Sequence, residues 1–385
     1  MIQGVASASQ AINDAKKIVV KIGSALLVQD DGEVRLRWLD SLADDIAALK
    51  DQGKEVLIVS SGAIAVGRTH LGLGLKSLRL EEKQAAAATG QIRLAHAYQA
   101  TLARHDITVS QILLTLDDTE ARRRHLNARN TIETLLKLGA VPIINENDTV
   151  ATSEIRFGDN DRLGARVATM IGADLLILLS DIDGLYSNDP RKDANAVYFP
   201  VVEAITAEIE DMASEPPVGY SSGGMITKIS AAKIATASGC HMLIANGKEA
   251  NPLSSVASGE QRASLFLANT EPQAARKSWI AGSLKSDGVV VVDQGAVKAL
   301  GNGRSLLPAG VTTVRGSFRR GDAILIEGPD SEELARGLVA YNADEVGLIC
   351  GKKSGEVASI LGYEGREELI HRDDLVLTGL KKKKR

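Results

Sequence analysis

The chain has 385 residues, 44% of them hydrophobic and only 3% aromatic, with a formal net charge of -4. That length suits one large domain with a smaller one, or two of middling size, with cores resting on Ala, Val, Ile and Leu. The charge gives no global attraction to nucleic acid or anionic membrane, the apolar runs are too short to span a bilayer, and two distant cysteines, Cys240 and Cys350, read as reduced thiols rather than a disulfide framework.

The N-terminus lacks a basic start followed by an apolar stretch, so no secretory signal is read and a cytoplasmic protein is expected. The segment before Lys16 is expected to be mobile or a frayed helix. From Ile18 to about residue 250 a unit recurs: short apolar run, polar or glycine turn, helical stretch. The spacing predicts strands at 18–21, 56–60, 112–114, 141–145, 175–179 and 241–245, each nearly continuous in hydrophobicity, as strands buried on both faces are. Helices are predicted at 39–52, 81–105 and 126–138, with Gly53, Gly139 and Gly172 at or near helix ends. The fold class is therefore α/β, a three-layer αβα sandwich over residues 1–270. After a linker at 268–280 the texture changes to close-set short strands at 288–292, 311–314, 323–326 and 338–341, a small β-rich domain over 281–375. The basic run at 381–385 reads as a solvated tail.

Four predicted strands lead directly into small or polar residues, and ligands of open α/β sheets bind beyond the carboxyl ends of strands. Lys21-Ile22-Gly23-Ser24 offers a point charge and an exposed N–H for a phosphate, although any strand-to-loop turn can hold Lys and Gly. Ser60-Ser61-Gly62-Ala63 opens a helix whose N–H groups could face an anion; a plain serine-capped turn reads equally well. Asn145-Glu146-Asn147-Asp148, then Gly158-Asp159-Asn160-Asp161, is a dense run of oxygen ligands suited to gripping an ammonium group and to positioning Mg²⁺ or neighbouring lysines. Ser180-Asp181 and Ser222-Gly223-Gly224-Met225-Ile226-Thr227-Lys228 add glycines that allow close approach to a polyphosphate, with a lysine one turn on.

Two lures fail. Gly219-Tyr220-Ser221-Ser222-Gly223 matches the nucleophile elbow, but Ser214-Glu215-Pro216-Pro217 before it is no central strand. Neither the P-loop nor the dinucleotide fingerprint occurs. His96, His105 and His125 read as helix-surface or satisfied side chains, and no metal ligand set is assigned.

Taken together, the segments at 19–27, 59–67, 125–131, 141–165, 178–186 and 222–228 resemble the amino acid kinase family, in the family's order, and 305–322 resembles the PUA domain attached to many bacterial members. The asparagine- and aspartate-rich stretch is characteristic of the glutamate-phosphorylating branch. The resemblance implies ATP and L-glutamate as substrates, glutamate 5-phosphate as product, Mg²⁺ as a requirement, proline synthesis as the context with L-proline as inhibitor, and a homo-oligomer, dimer or tetramer. By motif, Ser61, Asp148 and Asn160 would hold glutamate. Lys21 and Lys228 would contact the phosphates, and Gly23, Ser180, Asp181, Ser222, Gly223, Gly224, Met225, Ile226, Thr227 and Lys228 would contact ATP. Asp159 and Asp161 fall in the acidic motif, dividing between orienting the lysines and binding glutamate. Tyr220-Ser221-Ser222 departs from the usual Gly-Thr before the double glycine.

A carboxylate nucleophile is already ionised at neutral pH and needs no general base. The obstacle is its repulsion from a triphosphate, which Lys21 and Lys228 are expected to offset. The rivals are another kinase of the family, acting on acetylglutamate, aspartate, carbamate or UMP, and an RNA-binding protein. Residues 281–385 hold 16 Lys+Arg against 15 Asp+Glu, and without the five-residue tail 11 against 15, so RNA binding is not expected.

Overall fold

The computed structural model describes residues 7–74, 77–150, 159–213, 224–269 and 288–378, the side chains of 122 and 159 excepted. The chain divides into two compact units near residue 272. In the first, the strands are β1 (Lys17–Ile22), β2 (Glu55–Val59), β3 (Val109–Leu114), β4 (Val141–Glu146), β5 (Leu175–Ser180), β6 (Leu185–Tyr186), β7 (Tyr198–Phe199), β8 (Val201–Val202), β9 (His241–Asn246) and β10 (Ala263–Phe266). The helices are α1 (Ala8–Asp14), α2 (Ser24–Leu27), α3 (Leu36–Asp51), α4 (Ala63–His70), α5 (Leu80–Leu102), α6 (Leu116–Glu120), α7 (Arg122–Lys137), α8 (Asp159–Ile171), α9 (Ala207–Met212), α10 (Met225–Ala237) and α11 (Pro252–Ala257).

One sheet runs β3-β4-β2-β1-β5-β9-β10-β8. The six expected strands are all present and mutually parallel; β10 joins antiparallel to β9. Side chains alternate across it. Ile18, Val20 and Ile22 of β1 and Leu175, Ile177 and Leu179 of β5 pack with α1, α3, α5 and α11. Val19, Leu176 and Leu178 pack with α7, α8 and α10 on the other face. Three layers result, as expected from strands apolar on both faces. Gly53, Gly139 and Gly172 follow α3, α7 and α8 with positive φ, closing those helices.

Two expectations need correction. The segment before Lys16 is no frayed end from Ser7 onward: α1 buries Ala11 and Ile12, its Ser9 hydroxyl donates to Ala257 O at 2.5 Å, and the Lys54 ammonium holds its terminal carbonyls at Ile12, Asn13 and Ala15. In the second unit, β11 (Gly288–Val292), β12 (Val311–Gly316), β13 (Ala323–Glu327), β14 (Glu333–Leu338) and β15 (Leu375–Leu377) form a sheet in the order β12-β11-β13-β14-β15. The expected strand at 338–341 holds only at Leu338, the last residue of β14; residues 339–341 are irregular, with a bend at Ala340 and Tyr341. Leu338 pairs with Ala323, the first residue of β13, so the ladder ends there. Val339 and Tyr341 are apolar because they plug the core of this unit, not because they are extended. The strand instead occupies the more polar run from Glu333, which periodicity passed over. Most of the expected linker, the elbow-like segment and the basic tail lie outside the described residues.

Gly67 and Gly90 mark where α4 and α5 cross. A Cβ at Gly90 would lie 1.8 Å from Ala63 O, and one at Gly67 1.7 Å from Ala86 O. Neither oxygen can move without shifting a helix. Gly90→Ala is therefore expected to lower stability by about 3 kcal/mol or more, at the upper end of overpacking costs. The exposed Ala88→Ser should stay within about 0.5 kcal/mol. Urea melts of both variants check this.

Candidate active site

The chain leaves β1 toward β2 on one side and later returns at β5 on the other. A crevice is expected at such a reversal, beyond the carboxyl ends of the strands. Lys21 lies near the end of β1, with the parity of Val19, so it points to the face covered by α8 and α10. There it meets Asp161 of α8 and Lys228 in the first turn of α10. Lys21 Nζ is 2.6 Å from Asp161 Oδ1, Lys228 Nζ is 3.3 Å from Asp161 Oδ2, and the Thr227 hydroxyl donates to the same Oδ2 at 2.8 Å. The three charged groups are 7%, 1% and 6% exposed in the order Lys21, Asp161, Lys228. Burial alone would raise the Asp161 carboxyl, yet the Lys21 and Lys228 ammonium groups hold it below the usual range. Burial pushes Lys21 down, against the opposing pull of Asp161 and with the added repulsion of Lys228.

Asn160, the residue before Asp161, builds a second cluster. Its Nδ2 donates to Ser60 O at 2.8 Å, Ser61 Oγ at 2.9 Å and Asn145 Oδ1 at 3.1 Å. Asn145, at the end of β4, also accepts from the Glu146 N–H and donates to Gln91 Oε1 at 2.7 Å. Ser60 Oγ and Tyr98 Oη, both buried, are 3.0 Å apart. Ser61 leads into α4 through Gly62, whose φ of 93° is a left-handed geometry suited to glycine. Asp148, beyond β4, is 8% exposed, and burial lifts its carboxyl to about 6.

The neighbouring residues are more open. Gly23 caps α2, and its N–H donates to Leu179 O at 3.3 Å, tying the end of β1 to that of β5. Ser180 ends β5 and donates to Asp181 Oδ1 at 3.2 Å; Asp181 in turn lies 3.7 Å from Arg191. Gly224 caps α10 with no side-chain bond, and a Cβ there would meet no described atom within 4 Å. Met225, Ile226 and Thr227 follow in that helix, with Ile226 half exposed. Asp159 begins α8; its side chain, Ser222 and Gly223 lie outside the described residues. Lys21, Asp161, Thr227 and Lys228 thus come together, as do Ser61 and Asn160. No hydrogen bond or ion pair among the described residues joins Ser180 or Asp181 to either cluster. Asn145 and Gln91 went unassigned: the first stood in the oxygen-rich run, while nothing local marks a glutamine in mid-helix. His105 and His125 are satisfied, by Asp44 Oδ1 and Thr119 O, and His96 is exposed.

The model of the amino acid kinase family matches residues 16–246, and that of the PUA domain matches 288–361. A glutamate 5-kinase of Paramagnetospirillum magneticum is 61% identical over 95% of this chain and 98% of that protein. One of Agrobacterium fabrum is 60% identical over 94% and 93%. A crystal structure of a UMP kinase from Ureaplasma parvum aligns at 16% identity with a TM-score of 0.47, over 66% of this chain and 98% of that one. With the family's motifs in order on a parallel sheet and close relatives along nearly its whole length, the chain belongs to the amino acid kinase family.

Proposed function

We propose that the chain phosphorylates the side-chain carboxylate of L-glutamate with ATP, giving L-glutamate 5-phosphate, the first step toward L-proline. The observation that carries this is the pair of buried ammonium groups, Lys21 and Lys228, held on one carboxylate beside the Asn160 amide cluster. Together with the named activity of the relatives, it supports a site where one anion is brought up to another. In this reading Ser61, Asp148 and Asn160 hold glutamate. Gly23 and the N–H groups at the start of α10, with Ser180, Asp181 and the residues 222–228, hold ATP. Asp161 holds both lysine side chains in place, and Asp159 shares the acidic motif. At Gly224, where a Cβ would meet no described atom within 4 Å, the backbone suits close approach of a phosphate.

Among the described residues no group of three or more His, Cys, Asp or Glu side chains is placed to hold a metal, and Asp161 is already engaged by two ammonium groups. These residues do not form a resident Mg²⁺ cage. The ion is proposed to enter as the ATP complex, held chiefly by phosphate oxygens. Catalysis is assigned to residues 1–270 and a regulatory or packing role to the PUA-like unit, whose charge suits RNA poorly. A cytoplasmic homo-oligomer, dimer or tetramer, inhibited by L-proline completes the reading.

Turnover of Mg-ATP with L-glutamate, trapping the acyl phosphate as hydroxamate, tests the proposal. Glutamate-dependent hydroxamate is expected. Turnover only with another amino acid or with UMP would discard the substrate.

Asp148 supplies a pH test. Its carboxylate is proposed to meet the glutamate ammonium, so it must be ionised, and its carboxyl sits at about 6. KM for glutamate is expected to rise about tenfold per unit as pH falls below that value. The substrate's own side chain remains ionised down to about pH 5, so kcat should change little. Asp148→Asn should have a raised KM that no longer varies between pH 5 and 7, on the order of those limits. A wild-type KM flat across that range would remove Asp148 from the ammonium site. For stability the sign is opposite. Between its unfolded value and about 6 the folded state binds the extra proton, so this group's contribution falls as pH rises.

A further inference from the structure

We propose that Gln91, on α5, is a positioning residue for the amino acid substrate, acting through Asn145 on Asn160. The inference rests on the reading of Asn160 as a glutamate ligand and extends it to a helix that carries none of the assigned site residues.

The Asn160 amide has one useful orientation. Three acceptors, Ser60 O, Ser61 Oγ and Asn145 Oδ1, gather on its Nδ2. Its Oδ1 is left as the atom able to accept from an ammonium group, since no described residue is seen donating to it. Asn145 must therefore present oxygen, not nitrogen, to Asn160. Two bonds fix that choice: the Glu146 N–H donates to Asn145 Oδ1 at 2.9 Å, and Asn145 Nδ2 donates to Gln91 Oε1 at 2.7 Å. Asn145 is 2% exposed, so water cannot readily replace a lost acceptor.

The placement of Gln91 is itself rigid. Gly90 presses so closely on α4 that a Cβ would reach 1.8 Å from Ala63 O, two residues from Ser61. Seven residues after Gln91, two turns along the same face of α5, Tyr98 holds Ser60. One helix thus steadies both neighbours of Asn160.

The test compares wild type, Gln91→Leu and Gln91→Glu by steady-state hydroxamate kinetics, varying glutamate and ATP separately. Leucine keeps the bulk and removes the acceptor; glutamate keeps an acceptor oxygen at the same reach. Gln91→Leu is expected to raise KM for glutamate ~10-fold while KM for ATP stays within about twofold, and Gln91→Glu to restore KM for glutamate to within about threefold. A general loosening of the fold would move both KM values, so a parallel rise in the two, or an unchanged KM for glutamate in Gln91→Leu, overturns the proposal. An equally raised KM in Gln91→Glu does so as well. If wild type itself makes no hydroxamate from glutamate, the substrate reading fails first and this role with it. Should the leucine variant not fold, the glutamate variant and Gln91→Met carry the same comparison.

Discussion

Replacing Lys21 with alanine is expected to lower kcat by a factor on the order of 10² or more, and Lys228→Ala to do the same. The reason is electrostatic. The nucleophile is an anion, the phosphoryl donor is a polyanion, and charge redistributes over the phosphoryl oxygens in the transition state. A positive group fixed in a dry site acts most strongly at that moment, without reorganisation. Both lysines are more than nine-tenths buried and converge on Asp161 from β1 and α10. Lysine is suited to this as a compact point charge on a flexible stem; Lys21→Arg should not rescue, because the planar fork fills a different space. Burial pushes Lys21 below the ordinary lysine range, so the alkaline limb of the kcat/KM profile, which reports the free enzyme, should fall earlier than for a solvated lysine. Either alanine variant with near-normal kcat would remove that lysine from the phosphoryl site.

The pairing of Lys21 with α8 and α10 follows from parity that is written in the chain. A strand alternates its side chains, so residues 19 and 21 share a face, and Val19 lies in the core beneath α8 and α10. The continuous apolar runs revealed six strands of the sheet, and the polar residues at their ends revealed most of the candidate site. What periodicity could not reveal were contacts fixed by distant partners. β8 and β10 are two and four residues long, too short to show a pattern; β10 forms because β9 offers an edge, and β8 because β10 then offers another. Val339 and Tyr341 read as strand because they are apolar, yet irregular backbone can bury apolar residues as well as a strand can. Gln91 carries no local mark; only the meeting of α5 with the end of β4 gives it a partner. Asp148 was legible as a ligand, but the depth that lifts its carboxyl to about 6 depends on the packing around it.

Asp161→Asn is expected to weaken the first unit by about 3 kcal/mol or more at neutral pH, as when one partner of a buried ion pair is removed. Asparagine keeps the shape and the acceptor for Thr227 but removes the negative charge that the two buried ammonium groups share. The pH dependence separates this from simple misfit. In the wild type the Asp161 carboxyl lies below its unfolded value, because the two lysines outweigh its burial. Its contribution is therefore fully present above the unfolded carboxyl range and is lost as pH falls through the lower, folded value. The gap between wild type and variant should be constant through neutral pH and narrow in strong acid. At the alkaline end it should narrow again, since Lys21, already pushed down by burial, can shed its proton and relieve the repulsion in the variant. Urea unfolding across pH reads both limbs. A variant as stable as wild type at neutral pH would mean that the lysines do not depend on Asp161 for their place, and the carboxylate would then have to be explained by phosphoryl transfer alone.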